Sequence, residues 1–281
     1  MESNLKKAQR INIILLREID RVCNKYGLRY YLICGALLGA VRHHDLIPWD
    51  DDVDIAMPRE DYKKLKKVAS LEWKNSDFCF VKYNELGADT FLDFFSRLLY
   101  KKEKVKQQTY DKIECKCRKD ILDCMALDIY ILDNALENDK VHLLKARFIQ
   151  GLYGLAMGHR GYLDYADFDN YPVEKKVRTI ARRLSKAGRC IPLKIIFAIY
   201  ELCCKTFSNP SSQEYFMSNC YIFCIPWKYQ KAWFGEGTMV EIGENRLRAP
   251  QNFDAYLKVQ YGDYMQLPPE SSRRPTHIIE E

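Results

Sequence analysis

The sequence predicts an α+β fold, with a mixed β-sheet core, helical cover and a helical middle insertion. Apolar residues recur at helical spacing over residues 3–26, and short apolar runs bounded by turn residues follow them. The centre of the chain then changes to three long helical patterns. A chain of 281 residues with 47% hydrophobic content can bury a sizeable core, so one or two domains are expected.

The N-terminal part of the chain begins with a helix and continues with strands. The first helix, over residues 3–26, ends before Gly27, a typical C-cap residue. The run RYYLIC then predicts a strand, GALLGAVR a short helical turn, and VDIAM a second strand. Pro58 predicts the start of a helix that runs to about Ala69. Further strands are predicted for FCFVKYN, DFFSRLLYK and ALDIYILD.

The rest of the chain is predicted to be helical first and mixed afterwards. Three helices are predicted in the middle, over residues 138–160, 173–188 and 192–207. Beyond them, MVEI and RLRAP predict short strands, and a short helix is predicted from about Asn252 to Tyr261. The tail from about Glu270 to Glu281 is expected to be loose.

The segment GALLGAVRHHDLIPWDDDVDIAM places a glycine turn before carboxylates at Asp50, Asp52 and Asp54. Alternate side chains of a strand share one face, so Asp52 and Asp54 would project together while their apolar neighbours face the core. Two adjacent carboxylates repel each other unless a divalent cation lies between them. Mg²⁺ or Mn²⁺ is therefore the expected cofactor, and such Asp pairs serve phosphoryl and nucleotidyl transfer. The alternative, a solvated acidic loop, does not explain the apolar alternation that follows.

Two further charged residues are candidates for the same site. Asp128 is the only charge within ALDIYIL, and a lone carboxylate in an apolar strand needs a cation or hydrogen-bond donors, unless it lies on an exposed edge. Arg42 precedes the acidic strand and is predicted to clamp a donor phosphate; an ion pair with one of the nearby aspartates is the alternative. His43 is a weaker candidate, because histidines that cap turns are common.

The C-terminal part contains a compact aromatic and acidic turn before two prolines. Tyr261, Gly262 and Asp263 either form a wall of the substrate pocket or serve as a structural turn. Farther on, Arg273, Arg274 and His277 are candidates to reach back to an anionic substrate.

Cysteine usage and hydropathy bear on the compartment. Eleven cysteines, an odd number, fit reduced thiols better than a disulfide framework. No apolar run is long enough to span a bilayer, and a cytoplasmic protein is expected. Cys115, Cys117 and Cys124 cluster, and Cys220 and Cys224 form a second pair, but neither spacing matches a paired zinc knuckle.

Eight basic residues lie between Lys175 and Lys194, interleaved with apolar ones. A basic amphipathic helix over residues 173–194 suits peripheral contact with an anionic membrane, at the inner face of the cell membrane. A solvated helix packed on the core is an equally good interpretation. No nucleic acid partner is expected, because no RNA-binding or DNA-binding module accompanies the basic residues.

Three separated blocks resemble the LicD family of phosphotransferases, to which fukutin and fukutin-related protein are related. They are GALLGAVRHHDLIPWDDDVDIAMPREDY, LDIYILD, and RLRAP with FDAYLKVQYGDYMQLPP, in that order. The resemblance implies a nucleotidyltransferase-like fold in which Gly35 lies in the turn that holds a nucleotide phosphate and Asp52 and Asp54 hold metal. It places the third carboxylate at Asp128, with Asp133 as the fallback. Whether Asp128 is a metal ligand or the base stays open.

The resemblance also implies an activity. LicD proteins are similar to enzymes that move phosphocholine, or ribitol phosphate in the relatives, from a CDP-linked donor to a sugar hydroxyl and release CMP. The implied donor is CDP-choline, with CDP-ribitol and CDP-glycerol as alternatives, and the implied acceptor is a lipid-linked glycan or teichoic acid precursor. Two other functions stay open: a nucleotidyltransferase that releases pyrophosphate, and a catalytically silent glycan-binding relative. The implied organisation has three parts: a catalytic core over 1–135, a helical region over 136–225, and a C-terminal segment over 226–281 that completes the site.

Overall fold

The computed structural model describes residues 2–85, 91, 93–105, 124–160, 174–206 and 208–278. Within this part the α+β prediction is confirmed, because helices cover a mixed seven-stranded sheet and a two-stranded hairpin. The described helices are α1 (Asn4–Tyr26), α2 (Cys34–His43), α3 (Arg59–Glu72), α4 (Asp139–Ala156), α5 (Lys175–Gly188), α6 (Leu193–Thr206) and α7 (Phe253–Tyr261). The described strands are β1 (Tyr31–Ile33), β2 (Val53–Pro58), β3 (Phe78–Val81), β4 (Ser96–Lys104), β5 (Cys124–Asn134), β6 (Glu214–Met217), β7 (Tyr229–Gln230), β8 (Thr238–Ile242) and β9 (Asn245–Ala249).

The large sheet has one parallel pair at its centre. Its strand order is β1-β2-β5-β4-β3, and β6 and β7 extend it from β5. Strands β2 and β5 run parallel, whereas the other described pairs are antiparallel. Residues 53–58 of β2 are all buried, as expected for a central strand. This parallel pair carries Asp54 and Asp128, two of the acidic residues predicted for the site.

Helix α1 shows how local sequence sets the helical cover. The side chain of Ser3 accepts a hydrogen bond from the backbone N–H of Lys6, and Gly27 ends the helix with a φ of 61°. The buried face follows the predicted spacing, with Ile11, Leu15 and Ile19 fully buried. The helix packs against β4 and β5.

The first strand is shorter than the run RYYLIC predicts. Strand β1 covers only Tyr31–Ile33, and the next residue, Cys34, already begins α2 with a φ of 49°. The apolar run could not show this change, because it continues into the buried face of a helix. The prediction of a helical turn directly after the strand is confirmed.

Two clusters of buried side chains make up the core. The larger one lies between the sheet and helices α1, α2, α3 and α7. The second core cluster joins α4 and α6, and includes Phe94, Ile149, Leu152, Ile196 and Tyr200. None of the described helices is both long and apolar enough to cross a bilayer.

Candidate active site

Two carboxylates lie side by side on the parallel strand pair. Asp54 of β2 and Asp128 of β5 are direct register partners, and such partners project to the same face of a sheet. Asp54 is 6% exposed, whereas the side chain of Asp128 is 22% exposed. Asp52 lies at the entry to β2, and its side chain is 34% exposed. The structure therefore brings together the three carboxylates that were predicted to hold metal.

These carboxylates repel one another. Burial raises the pKa of Asp54 well above its ordinary value, and the charges of Asp52 and Asp128 raise it further. Burial and the neighbouring Asp52 raise the pKa of Asp50 to about 8. A divalent cation relieves such repulsion, and a donor set of carboxylate oxygens suits a hard ion such as Mg²⁺ or Mn²⁺. The residues present thus fit the predicted cofactor.

The amino end of α2 lies beside the same cluster. A Cβ atom on Gly35 would lie 2.1 Å from the carboxylate oxygen Oδ2 of Asp50, so the close approach of this aspartate requires glycine. Helix N-termini carry unpaired N–H groups and partial positive charge, which bind phosphates. The position of Gly35 is compatible with the predicted contact to a nucleotide phosphate.

An open cavity of about 740 Å³ contains most of the predicted site residues. Its wall includes Gly35, Arg42, Asp52, Asp54, Tyr261 and Asp263. His43, Gly262 and Asp128 are not part of the wall. Gly262 instead ends α7, where its N–H donates to the carbonyl of Lys258. Its position matches the structural-turn interpretation rather than the pocket-wall one.

Asp128 has a cationic partner on the neighbouring strand. Arg97 of β4 is its register partner, and the guanidinium Nε donates to the Asp128 carboxylate at 2.7 Å. This contact supplies the donor that the lone carboxylate of β5 requires. Arg97 thus orients the Asp128 carboxylate beside Asp54.

Arg42 and His43 make contacts that the sequence did not predict. The Arg42 Nη1 donates to the carbonyl oxygen of Tyr264 at 2.9 Å, and Nε donates to the imidazole of His43 at 3.0 Å. The alternative ion pair with an aspartate of the acidic segment is not formed. The ring of His43 packs edge-on against Trp49, with centroids 5.9 Å apart. Burial and the charge of Arg42 lower the pKa of His43.

The expectation of a loose C-terminal tail is wrong as far as residue 278. Asp51, which is 1% exposed, accepts hydrogen bonds from the backbone N–H groups of His277 and Ile278, each at 2.8 Å. The His277 Nδ1 lies 3.0 Å from the second oxygen of Asp51. Burial favours the neutral imidazole, but the hydrogen bond with Asp51 and the charge of Asp52 outweigh it and raise the pKa of His277 to about 9. The segment Thr276–Ile278 therefore forms part of the cavity wall and its support.

A second group of side chains at the site has the composition of a metal site. Asp51, Asp52 and His277 bring one ligand atom each within 4.8 Å of one another, and could hold a metal ion. Both oxygens of Asp51 already accept hydrogen bonds from the C-terminal segment, however. Asp52 belongs to both groupings, which makes it the carboxylate best placed to bind a cation.

The second cysteine pair of the sequence lies beside the cavity, whose wall includes Cys220. Cys220 and Cys224 are free thiols that share a hydrogen bond. Cys124 is a free, buried thiol in β5. Cys115 and Cys117, its neighbours in sequence, lie outside the described residues.

Sequence reasoning missed Arg97 and Tyr221 and gave His277 only a substrate role. Arg97 is the basic residue in the middle of the predicted strand DFFSRLLYK, but its contact with Asp128 depends on the pairing of two strands, which the sequence does not show. Tyr221 lines the cavity and is 54% exposed, but nothing around it in sequence marks it. The contact between His277 and Asp51 spans 226 residues, and no local pattern predicts it.

Comparisons with known proteins agree with the geometry. The family profile described as LicD/FKTN/FKRP, nucleotidyltransferase domain, matches residues 27–115. The lipopolysaccharide cholinephosphotransferase LicD of Haemophilus influenzae is 25% identical over 286 aligned positions, which cover 98% of this chain and 97% of that protein. The human ribitol 5-phosphate transferase FKRP is 44% identical over 61 residues, which cover 20% of this chain and 12% of FKRP. The resemblance predicted from the three sequence blocks is therefore confirmed: residues 27–115 match the nucleotidyltransferase-domain profile of the LicD family, and nearly the whole chain is similar to LicD of Haemophilus influenzae.

Proposed function

We propose that this protein transfers phosphocholine, or another alcohol phosphate, from a CDP-linked donor to a hydroxyl of a cell-surface glycan or teichoic acid precursor, with release of CMP. The full-length similarity is to a cholinephosphotransferase, and the shorter one is to a ribitol 5-phosphate transferase. CDP-choline is therefore the first donor to test, and CDP-ribitol and CDP-glycerol are the alternatives.

One observation carries the proposal: Asp54 and Asp128 lie in register on parallel strands, with Asp52 beside them, next to the amino end of α2. Negative charge concentrated at the wall of an open cavity, to which Asp52 and Asp54 contribute, needs a cation. The adjoining helix N-terminus attracts an anion. A metal-bound diphosphate satisfies both requirements, which a purely structural acidic cluster does not explain.

The three carboxylates would hold Mg²⁺ or Mn²⁺ against the diphosphate of the donor. When bound, the ion supplies neutralisation of the charge that builds on the CMP leaving group. Gly35, at the first turn of α2, and Arg42 both lie in the wall of the cavity in which the diphosphate would bind. Arg42 uses Nη1 and Nε for internal contacts, so Nη2 is the nitrogen with which it would bind a phosphate oxygen.

The acceptor hydroxyl would attack the phosphorus distal to the nucleoside. As the new P–O bond forms, the bond to CMP breaks, and the hydroxyl proton passes to a carboxylate. Asp128 is the carboxylate for this role if it does not serve as a metal ligand, and Arg97 would orient it. Tyr261 and Asp263 also line the cavity and would contact the alcohol part of the donor.

The experiment is to measure CMP release from CDP-choline, CDP-ribitol and CDP-glycerol with Mg²⁺ or Mn²⁺ and a lipid-linked glycan acceptor. Asp52→Asn is the test variant, and Asp77→Asn is the matched control, because Asp77 lies on the surface with a 56% exposed side chain. We expect CMP from one donor, lost in Asp52→Asn and kept in Asp77→Asn.

Pyrophosphate is measured in the same reactions with CTP and ATP. Pyrophosphate release without CMP from any CDP-alcohol would replace the proposal with a nucleotidyltransferase activity. No product of either kind, with an acceptor that a known transferase can use, would favour a catalytically silent glycan-binding protein.

A further inference from the structure

The helical region has an apolar surface on the side that faces away from the core. We call it the apolar face, and it consists of Val141, Leu144 and Phe148 of α4 and Ile195, Ile199 and Leu202 of α6. Leu144 is 71% exposed, Leu202 63% and Phe148 52%. Within each helix these residues are three or four positions apart, so they form a stripe along one side.

Both stripes lie on sides of their helices that are turned away from the core. Helices α4 and α6 pack against each other, and both bury their other sides in the second core cluster, through residues such as Ile149 and Ile196. Each helix therefore presents an apolar stripe outside the core that the two helices share. A surface helix of a globular protein normally carries polar residues on its outer side. Exposed apolar residues grouped in this way indicate a contact surface rather than a solvated one.

Exposed basic residues accompany the apolar face. Lys140, Arg147 and Lys194 are exposed on the two helices themselves. Helix α5 packs beside α4, where Gly188 lies close to the backbone of Leu155.

The sequence of α5 and the residues after it adds positive charge. The stretch from Lys175 to Lys194 contains eight basic residues and no acidic one. Two apolar residues of α5, Val177 and Ile180, are 41% and 49% exposed. The surface thus combines exposed apolar side chains with positive charge.

We propose that the apolar face and the basic helix α5 dock this protein on an anionic phospholipid surface. Apolar side chains that enter the boundary between headgroups and acyl chains, with basic residues on the headgroups, are the pattern of interfacial helices. Anionic lipids attract nearby lysine and arginine side chains. A second copy of the chain fits less well, because two such surfaces would repel each other. The inference does not depend on the proposed transferase activity.

The test is co-sedimentation of the full chain with vesicles of phosphatidylcholine alone or mixed with phosphatidylglycerol. We expect binding to the mixed vesicles, weakened by added salt, and little binding to phosphatidylcholine alone. The double variant Leu144→Glu/Leu202→Glu should bind at least about tenfold more weakly. It removes two leucine side chains that would be buried in the lipid, and it adds negative charges that anionic headgroups repel.

The matched control is Leu71→Glu, because Leu71 of α3 is 75% exposed and lies outside the apolar face. It should bind like the wild type. A second variant, Arg147→Glu/Lys194→Glu, keeps the apolar face and should bind several-fold more weakly only at low salt.

Two results would overturn the proposal. Equal binding by Leu144→Glu/Leu202→Glu and Leu71→Glu would mean that the apolar face does not contact lipid. A wild-type dimer in light scattering, converted to monomer by Leu144→Glu/Leu202→Glu while vesicle binding is absent, would assign the face to a second copy of the chain. Unchanged unfolding temperatures would confirm that the exposed substitutions leave the fold intact.

Discussion

The carboxylates at the two ends of the parallel strand pair β2 and β5 have opposite charge environments. At the cavity end, Asp54 and Asp128 lie in register with Asp52 nearby, and the carboxylates outnumber the cations that contact them. At the other end, Asp133 is 1% exposed and accepts two hydrogen bonds from the guanidinium of Arg59, one of them at 2.7 Å. One end has a surplus of negative charge, whereas the other end is balanced.

This difference in charge compensation distinguishes a candidate ligand-binding site from a structural ion pair. A buried carboxylate with a bidentate guanidinium partner needs nothing further, and its role is to hold strand β5 against the start of α3. A buried carboxylate whose pKa is raised by neighbouring carboxylates, as at Asp54, is stable in its charged form only with another ligand. Asp128 and Asp133 are five positions apart on one strand, so they project to opposite faces. Asp128 is thus the better candidate for the third carboxylate, and the fallback, Asp133, is engaged elsewhere.

The largest expected effect is on activity, at the unbalanced end. Asp54→Asn should lower the rate of CMP release at least about 100-fold, because it removes a central carboxylate of the site. The free energy of unfolding, measured in the presence of a chelator, should stay the same or rise, because the substitution relieves repulsion. A clear loss of stability in Asp54→Asn would show that the carboxylate is structural, and the comparison between the two ends would fail.

The balanced end should show the reverse pattern. Asp133→Leu should lower the free energy of unfolding by about 3 kcal/mol, because it leaves the Arg59 guanidinium buried without its main partner. The activity per folded molecule should be nearly unchanged. Chemical denaturation measures the first effect and CMP release the second.

A double variant provides the control for this second prediction. Arg59→Met/Asp133→Leu should recover most of the lost stability, since it removes both charges. If the double variant is no more stable than Asp133→Leu, the cost arises from packing rather than from the unpaired guanidinium.

Asp51 is a carboxylate at the cavity end whose charge is compensated by hydrogen-bond donors. Its substitution tests whether such a structural carboxylate occurs beside the site. Asp51→Asn should cost about 2 kcal/mol, because a buried charged acceptor loses strong hydrogen bonds to the C-terminal segment. Limited proteolysis should then cut near His277 much faster than in the wild type. Asp77→Asn, at an exposed carboxylate, serves as the control. Unchanged proteolysis in Asp51→Asn would mean that Ile278, which is 1% exposed, holds the segment by packing alone.

Local patterns predicted the elements and the acidic residues of the site. The periods of 3.6 and 2 residues are visible within a few turns or alternations, so α1, the Asp-bearing strand and the strand around Asp128 could be recognised. The three middle helices were predicted for the same reason, and the structure confirms them as α4, α5 and α6.

Contacts between distant parts of the chain were not predictable in this way. Arg97 meets Asp128 across 31 residues, and Ile278 meets Asp51 across 227. Each contact depends on the order of strands in the sheet or on the path of the tail, which the amino-acid pattern does not encode locally. The outward stripe of α6 was hidden for another reason. Its residues lie in the apolar run IIFAIYELCC, where both sides of the helix have the same composition.

The smallest expected effect concerns a carboxylate whose charged hydrogen-bond donors are exposed to solvent. Glu72, at the end of α3, accepts hydrogen bonds from Lys25, Tyr26 and Arg21, which lower its pKa from 4.5 to about 2. A lowered pKa in the folded state means that the ionised group stabilises the fold above pH 4.5, and that this contribution is lost as the pH falls towards 2. The side chains of Lys25 and Arg21 are about half exposed, so water and salt weaken the pairs. We therefore expect a modest difference in the free energy of unfolding between the wild type and Glu72→Gln at pH 7, and no difference near pH 2. The control is Glu244→Gln, at an exposed turn, which should show no such dependence on pH. If the difference in unfolding free energy between the wild type and Glu72→Gln stays constant over this pH range, the substitution acts through packing or geometry, and the charge of Glu72 contributes nothing.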